Sequence, residues 1–472
     1  MYPEFNIYIP TEEIIVEVSK MSMKGISKIV FVAVAIVMLI IGLVAGYAIG
    51  SMRPTAAPTV TVERTVAPTG VPAGVVTVTI PGAGPTGLTG EIPIGFPIPL
   101  TGVLSTFGAQ YRVVIEKAVD EINSYLASLG RQWRIKAIIE DTATDPKTCL
   151  DKVMALHARG VKVFIGIASS AEVSEIKSYA DANKLLIISP SSTSPRLAIP
   201  DMILRYTPND LYQGKAIAKI MWLRGARYIT IIYRGDTWGD GLYSAVRDNF
   251  DKICKAAGGG CGLLESIRYD PDAKEFSAEA AKLNSIVSDA VSKYGADKVG
   301  VVAISFEEAA ALIAAAKQYD VLGKVIWQGS DGTAAVTPLL DPAVAEFAVK
   351  VKFYNTMASP GVSPFTDKIR KWIKDALGQE PMGYTYFVYD AIWTVALTID
   401  AIGKYDGEAI KNALPLILKH YMGASGYIEL DENGDRKVGD YDLWAIVKEG
   451  DKYVWKVIGL YKGLTDTIEF YS

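Results

Sequence analysis

Residues 185–195 read LLIISPSSTSP. The run LLII has the unbroken apolar character of a strand buried on both faces, as in a parallel sheet. Five hydroxyl side chains follow, Ser189, Ser191, Ser192, Thr193 and Ser194, interleaved with Pro190 and Pro195. Ser, Thr and Pro are ordinary turn residues, so a plain turn is one reading. A ligand cradle is the other, because small molecules collect at the carboxyl ends of strands in open parallel sheets. The choice depends on how the neighbouring strands end.

From about Glu91 onward, apolar strands alternate with helical patterns. The strands are expected at 92–98, 135–139, 163–168, 185–189, 228–233, 299–304 and 324–328. Helices are expected at 111–129, 147–159, 171–183, 211–223, 242–256, 277–293 and 307–319. Such alternation predicts parallel sheets covered by helices, an α/β architecture. The strands end in PLTGVLSTFG, SSAEV, SPSST, RGDTWGDG, SFEE and GSDGT, which are rich in hydroxyls and aromatics and poor in cations. Each ending also has a plain structural reading. Ser169 with Glu172 forms an S-x-x-E capping box, Asp331 in GSDG is a turn residue, and Trp238 suits lobe packing. A cap and an anion site are compatible, since the N–H groups of a helix start suit a carboxylate.

Composition narrows the chemistry. The 472 residues carry a net charge of −4, two histidines and three cysteines. His157 and His420 are far apart and isolated, so no Cys/His metal cluster or Ser/His or Cys/His nucleophile pair is evident. No metal, cofactor or enzymatic activity is expected, and no basic stripe points to nucleic acid. GDTWGDG is neither a Walker loop nor a dinucleotide fingerprint. Cys254 and Cys261 are near enough in sequence to bridge, leaving Cys149 over; three unpaired thiols are the alternative.

The N-terminal part has a different character. Residues 29–49 contain no charge and are long enough to span a bilayer core of roughly 20 apolar residues. Lys20, Lys24 and Lys28 precede this run and Arg53 follows it, which places residues 1–28 in the cytoplasm or in a cleaved leader and the remainder outside the cell. Met21 or Met23 is an alternative start, and Lys24–Gly25 resembles an archaeal pilin-type cleavage site. An uncleaved single-pass anchor is the favoured reading over a secretory signal, whose apolar region is shorter. Residues 53–90, rich in Pro, Thr, Gly, Val and Ala, read as a stalk. The stalk would reach roughly 100 Å as polyproline or about 35 Å as a flexible coil.

IPLTGVLSTFG, EDTATDP, VFIGIASS, ISPSSTSP, LRYTPNDLYQG, IIYRGDTWGDG, WQGSDG, FVYDA and GYIELDENGD occur in that order from about Ile92 to Val457. In order and spacing they resemble the leucine/isoleucine/valine-type (type I) periplasmic binding proteins of ABC transporters. The resemblance implies a two-lobed α/β clamp, with lobe 1 at 91–211 and 356–441 and lobe 2 at 212–355 and 442–465. It further implies that Ser170, the backbone of Ser191 and the Thr193 hydroxyl hold a ligand's carboxylate and ammonium, with Asp331 as the ammonium's acid. Phe107, Ala168, Trp238, Phe306 and Tyr384 would form the side-chain walls. Trp238 stands where the leucine-type proteins carry Tyr, and Asp331 where they carry Glu. The leucine-type first-lobe disulfide is absent, its positions held by Thr144 and Ser169.

The resemblance therefore implies an extracellular solute receptor of an ABC importer, tethered to the bilayer and delivering an amino acid, branched-chain or related, to a permease. A ligand-sensing ectodomain, or a receptor for an amide or aromatic acid, are the alternatives. An α/β enzyme using Asp141, Asp145 or Asp331 has no supporting base or cofactor motif.

Overall fold

The computed structural model describes residues 87–471. The expected leader, membrane anchor and stalk up to residue 86 lie outside the described residues. Among the described residues no single helix is long and apolar enough to cross a membrane.

Two parallel sheets organise the molecule. The first has the strand order Asp435–Arg436, Ile203–Pro208, Leu186–Ser189, Val163–Ile165, Thr89–Ile98, Gln132–Asp141. The second runs Ile326–Gln328, Val299–Ile304, Tyr228–Arg234, Gly262–Leu263, with Ile267–Tyr269 also paired to Tyr228–Arg234. Every pairing in both sheets is parallel. Helices cover the faces, so the central strands are buried throughout; Leu186, Ile187, Ile188 and Ser189 are each at 0% exposure. This accounts for the continuous apolar runs, which have no exposed face to make polar.

A third, antiparallel sheet joins Asn355–Ala358, Tyr441–Glu449, Lys452–Lys462 and Thr467–Phe470. It abuts the second sheet's helices, where the Trp455 indole donates to Val336 O at 2.8 Å. Helices Thr366–Leu377 and Gly383–Ile402 pack instead beside the first sheet's helix Ser105–Ser128. The chain therefore forms two lobes and passes between them more than once. The first strand begins at Thr89, inside the stretch expected to be stalk, because pairing with Gln132–Asp141 starts at that residue. Cys254 and Cys261 form a disulfide with Cα atoms 5.7 Å apart, and Cys149 is free and buried.

One buried ion pair fixes the loop after Leu186–Ser189. Register sets Ser189 beside Arg205. The Arg205 guanidinium forks onto both oxygens of Asp435 and donates to Ser194 O at 2.7 Å and Ser192 O at 3.3 Å. Arg205 and Asp435 are each 1% exposed. Asp435→Ala should therefore leave a buried guanidinium unpaired and cost about 3–5 kcal/mol. Denaturant unfolding checks this, and a variant as stable as the wild type would show the pair to be unimportant.

Candidate functional site

The first-lobe strands end at loops that become helix starts. Ser169 is the N-cap of helix Ser170–Asn183: its hydroxyl accepts from Glu172 N at 3.2 Å, and the Glu172 carboxylate accepts from Ser169 N at 2.8 Å. The capping-box reading is correct, and it coexists with a helix start at the cleft. The first N–H groups of a helix lack intrahelical acceptors, and its positive end favours an anion. The Ser170 hydroxyl bonds that of Ser192 at 2.9 Å and accepts from Ser194 N at 3.2 Å. Ser170 thus stitches its helix start to the hydroxyl-rich loop.

Within that loop, Ser191 is bound on both sides. Its hydroxyl accepts from Tyr111 OH at 2.8 Å and donates to Ala168 O at 3.0 Å, and its backbone N–H makes a long bond to the Ser189 hydroxyl at 3.4 Å. The Thr193 hydroxyl donates to Asp210 Oδ2 at 2.9 Å, and Asp210 N donates back to Thr193 O at 2.8 Å. Ser194 reaches the second lobe, donating to Thr237 O at 2.7 Å.

The second lobe supplies an acid and an aromatic wall. Asp331 is 3% exposed, and its Oδ2 accepts from Tyr384 OH at 2.6 Å. Its Oδ1 makes no hydrogen bond of ordinary geometry, although the Gln213 side chain and the N–H groups of Asp331 and Gly332 lie near enough to favour the charged form. Gly332 makes this placement possible, because a Cβ there would lie 2.4 Å from Ser305 O and 2.8 Å from the Trp238 ring. The Trp238 and Phe306 rings stack at 4.5 Å, and the Arg234 guanidinium lies 4.4 Å from the Phe306 centroid. Asp236 at 2.6 Å and Glu308 hold Arg234 there. On the first-lobe side, Phe107 packs against Tyr384 with centroids 5.7 Å apart.

A cavity lies where these parts meet. Leu104, Phe107, Ala168, Ser169, Ser170 and Ser191 line it from the first lobe, and Trp238, Phe306 and Asp331 from the second. The two lobes close on it so tightly that little free space remains between these side chains, so a solute would enter only as the lobes part. Seven of the nine residues singled out in the sequence line this cavity. Tyr384 stands one hydrogen bond behind it, on Asp331; Thr193 does not reach the lining and bonds Asp210, a buried acid beside the cavity rather than in its wall.

Asp210 and Gln213 were not anticipated as site residues. Both are at 0% exposure, and Asp210 Oδ1 and both amide atoms of Gln213 make no hydrogen bond of ordinary geometry. In the sequence Asp210 reads only as an acid in the first turn of a helix capped by Asn209. Its burial beside a second acid depends on a residue 121 positions away and carries no local signal.

Electrostatically the site is under tension. Burial pushes the Asp331 carboxyl up to about 6, against the downward pull of the Tyr384 hydroxyl. Burial, and then the charge of Asp331, holds Asp210 well above the usual carboxylate range. A carboxyl raised in the folded state binds more protons there than when unfolded. Its effect therefore makes stability fall as pH rises through the window from about 4 to about 6, with the full penalty present above it. Asp331→Asn should remove the penalty and raise stability at pH 8, on the order of 1–3 kcal/mol. The gain should shrink at pH 5, as thermal denaturation at the two pH values will read; an equal gain at both would contradict it.

Comparison with known proteins places this architecture. Residues 111–449 match the family model "Receptor family ligand binding region". The chain is 33% identical over 398 residues to an uncharacterized protein of Methanocaldococcus jannaschii, covering 80% of this chain and 91% of that one. It is 25% identical over 366 residues to the Leu/Ile/Val-binding protein homolog 1 of Brucella suis, covering 76% of this chain and 92% of the relative. Among solved structures it superposes, with a TM-score of 0.65 and 14% identity, on an ABC-transporter solute-binding protein from Rhodopseudomonas palustris in complex with 4-hydroxybenzoate. That match covers 79% of this chain and 97% of the other. The chain belongs to the receptor-family ligand-binding-region proteins and has their two-lobed, type I periplasmic-binding-protein fold.

Proposed function

We propose that this protein is an extracellular solute receptor of an ABC importer, tethered to the membrane by its N-terminal segment, that captures an amino acid between its lobes and delivers it to a permease. The observation that carries the amino-acid reading is the pair of buried acids, Asp331 and Asp210, each with one oxygen that makes no ordinary hydrogen bond. A carboxylate sealed from water without a cation is costly, so the site favours a ligand that brings a positive charge. The helix start at Ser170 offers N–H donors for a carboxylate in the same cavity that Asp331 lines. A zwitterion with its ammonium and carboxylate on one carbon meets both demands. Phe107, Ala168, Trp238, Phe306 and, behind them, Tyr384 would surround its side chain. The Cys254–Cys261 disulfide fits an oxidising exterior.

An aromatic acid is the competing ligand, given the benzoate-bound relative. Its carboxylate would bring further negative charge to two acids that burial already makes reluctant to ionise, and would offer neither of them a cation. The amino-acid reading avoids that cost.

Two measurements test this reading. A thermal-shift screen of amino acids, amides and aromatic acids should single out α-amino acids. Calorimetry should then show binding abolished in Asp331→Ala and weakened by about 1–3 kcal/mol in Thr193→Val, which leaves Asp210 without its hydroxyl partner. A response confined to sugars, peptides or aromatic acids would refute the amino-acid assignment. Binding of a cationic group should also hold Asp331 ionised, so affinity should rise as pH increases through about 6. Isotherms at pH 5 and 7.5 that gave the same affinity would separate Asp331 from the ammonium.

A further inference from the structure

The lobes meet on both sides of the cavity, and one of these meetings has an unusual form. Six helices bring their own N-cap side chain: Asp145, Ser169, Asn209, Asp236, Asp341 and Asp406 each accept from a first-turn N–H. The helices starting at Ser277, Ala309, Thr366 and Gly383 do not, and neither does helix Ser105–Ser128. Its N-cap position is Leu104, with no side-chain cap bond, and its first turn holds no acid. The acid at this helix start is Glu307, from the loop that ends strand Val299–Ile304 in the other lobe. One carboxylate oxygen accepts from Thr106 N at 2.6 Å, the other from the Ser105 hydroxyl at 2.9 Å, and Glu307 N donates to Val103 O at 3.2 Å. Among the other cross-lobe contacts, Tyr384 OH to Asp331 Oδ2 at 2.6 Å is buried at the cavity; Thr337 N to Thr106 Oγ1 at 3.3 Å, Gln379 to Thr337 at 3.0 Å and Ser194 to Thr237 O at 2.7 Å join neutral groups, and Arg196 to Asp240 at 3.4 Å is an exposed ion pair. Glu307 does not line the cavity.

We propose that Glu307 is the closure latch of the clamp: it supplies in trans, from the second lobe, the cap that the first-lobe helix Ser105–Ser128 lacks. A cap carried by the helix itself stabilises open and closed clamps alike and shifts nothing between them. A cap carried by the opposite lobe acts only when the lobes meet, so its whole contribution goes to the closed state. The carboxylate does two things there. It accepts two hydrogen bonds, and it puts a negative charge at the positive end of a 24-residue helix. The sequence fits this division of roles, because LSTFG at the helix start has hydroxyls to donate and no acid that would repel Glu307. The latch raises affinity without touching the solute, by lowering the cost of the closed form in which the solute is held.

This inference rests on the reading that the two lobes open and close around a solute, but its test needs no solute. Spin labels on exposed Lys117→Cys in the first lobe and Lys274→Cys in the second, with the full chain and buried Cys149 left in place, report the interlobe distance distribution. In ligand-free protein, Glu307→Ala should lower the ratio of closed to open molecules by about 3–10-fold. Glu307→Gln, which keeps an acceptor oxygen but not the charge, should fall between, and Ser105→Ala should give a smaller shift than Glu307→Ala. Distributions identical to the wild type in both Glu307 variants would overturn the latch. So would a loss of solute affinity with an unchanged distribution, since Glu307 would then act on the solute itself. Failure of the amino-acid reading would leave these distances unaffected, and so would not be mistaken for failure of the latch.

Discussion

The structure turns on a desolvation problem. Asp331 and Asp210 are shut away from water, close enough that the charge of one raises the proton affinity of the other, and each keeps an oxygen without an ordinary hydrogen bond. Folding alone does not solve this. Tyr384 and Thr193 each satisfy one oxygen of one acid, and no described lysine or arginine is bonded to either carboxylate. Buried acids without a counter-ion are costly features, and they are concentrated where a protein binds or reacts. In the proposed function the ligand's ammonium is the counter-ion, so the cost of burying the acids becomes affinity and selectivity for a cationic group.

The rest of the fold holds these acids in place from two sides. Parallel sheets put every strand's carboxyl end at the cleft, where the helices begin. In the first lobe the buried Arg205–Asp435 pair grips the carbonyls of Ser192 and Ser194, and Ser170 ties that loop to the neighbouring helix start. In the second, Gly332 lets the Asp331 loop slide beneath the stacked Trp238 and Phe306 rings, which Arg234 backs. The site has two halves, each braced mainly by hydrogen bonds within its own lobe. A few bonds join them, Tyr384 to Asp331 at the cavity and Ser194 to Thr237 O beside it, an arrangement suited to hinge closure. Glu307 matters among them because it completes a helix that does not belong to its own lobe.

Much of this was legible in the sequence, for identifiable reasons. Buried parallel strands are apolar on both faces, so 163–165, 186–189, 228–234 and 299–304 stand out as uninterrupted runs. The loops after them gave up their roles through residue type: Ser169 with Glu172 is a capping box, and hydroxyls and aromatics gather at the cleft. Helix starts were read late, at 111 and 242 rather than at Ser105 and Thr237, because STFG and TWGD look like loop when they are in fact capped first turns beside the cleft. Strand Ile203–Pro208 has no such signature, because Arg205 and Tyr206 break its apolar pattern although both are buried, Arg205 in its ion pair and Tyr206 bonded to Thr394. The antiparallel sheet at the C-terminus and the second acid, Asp210, depend on partners far along the chain. No local pattern records those.

The central claim is that two buried acids select a positive charge, and a matched pair of ligands tests it most directly. Leucine and 4-methylpentanoate share the same carbon skeleton and carboxylate and differ in the ammonium. The same comparison can be made for any amino acid that the protein binds more tightly than leucine. Titrating both members of the pair into the protein at pH 7.5 should give binding for the amino acid and none for its deaminated counterpart. Equal affinity for the two would contradict the account, because the carboxylates of Asp331 and Asp210 would then have no part in recognition.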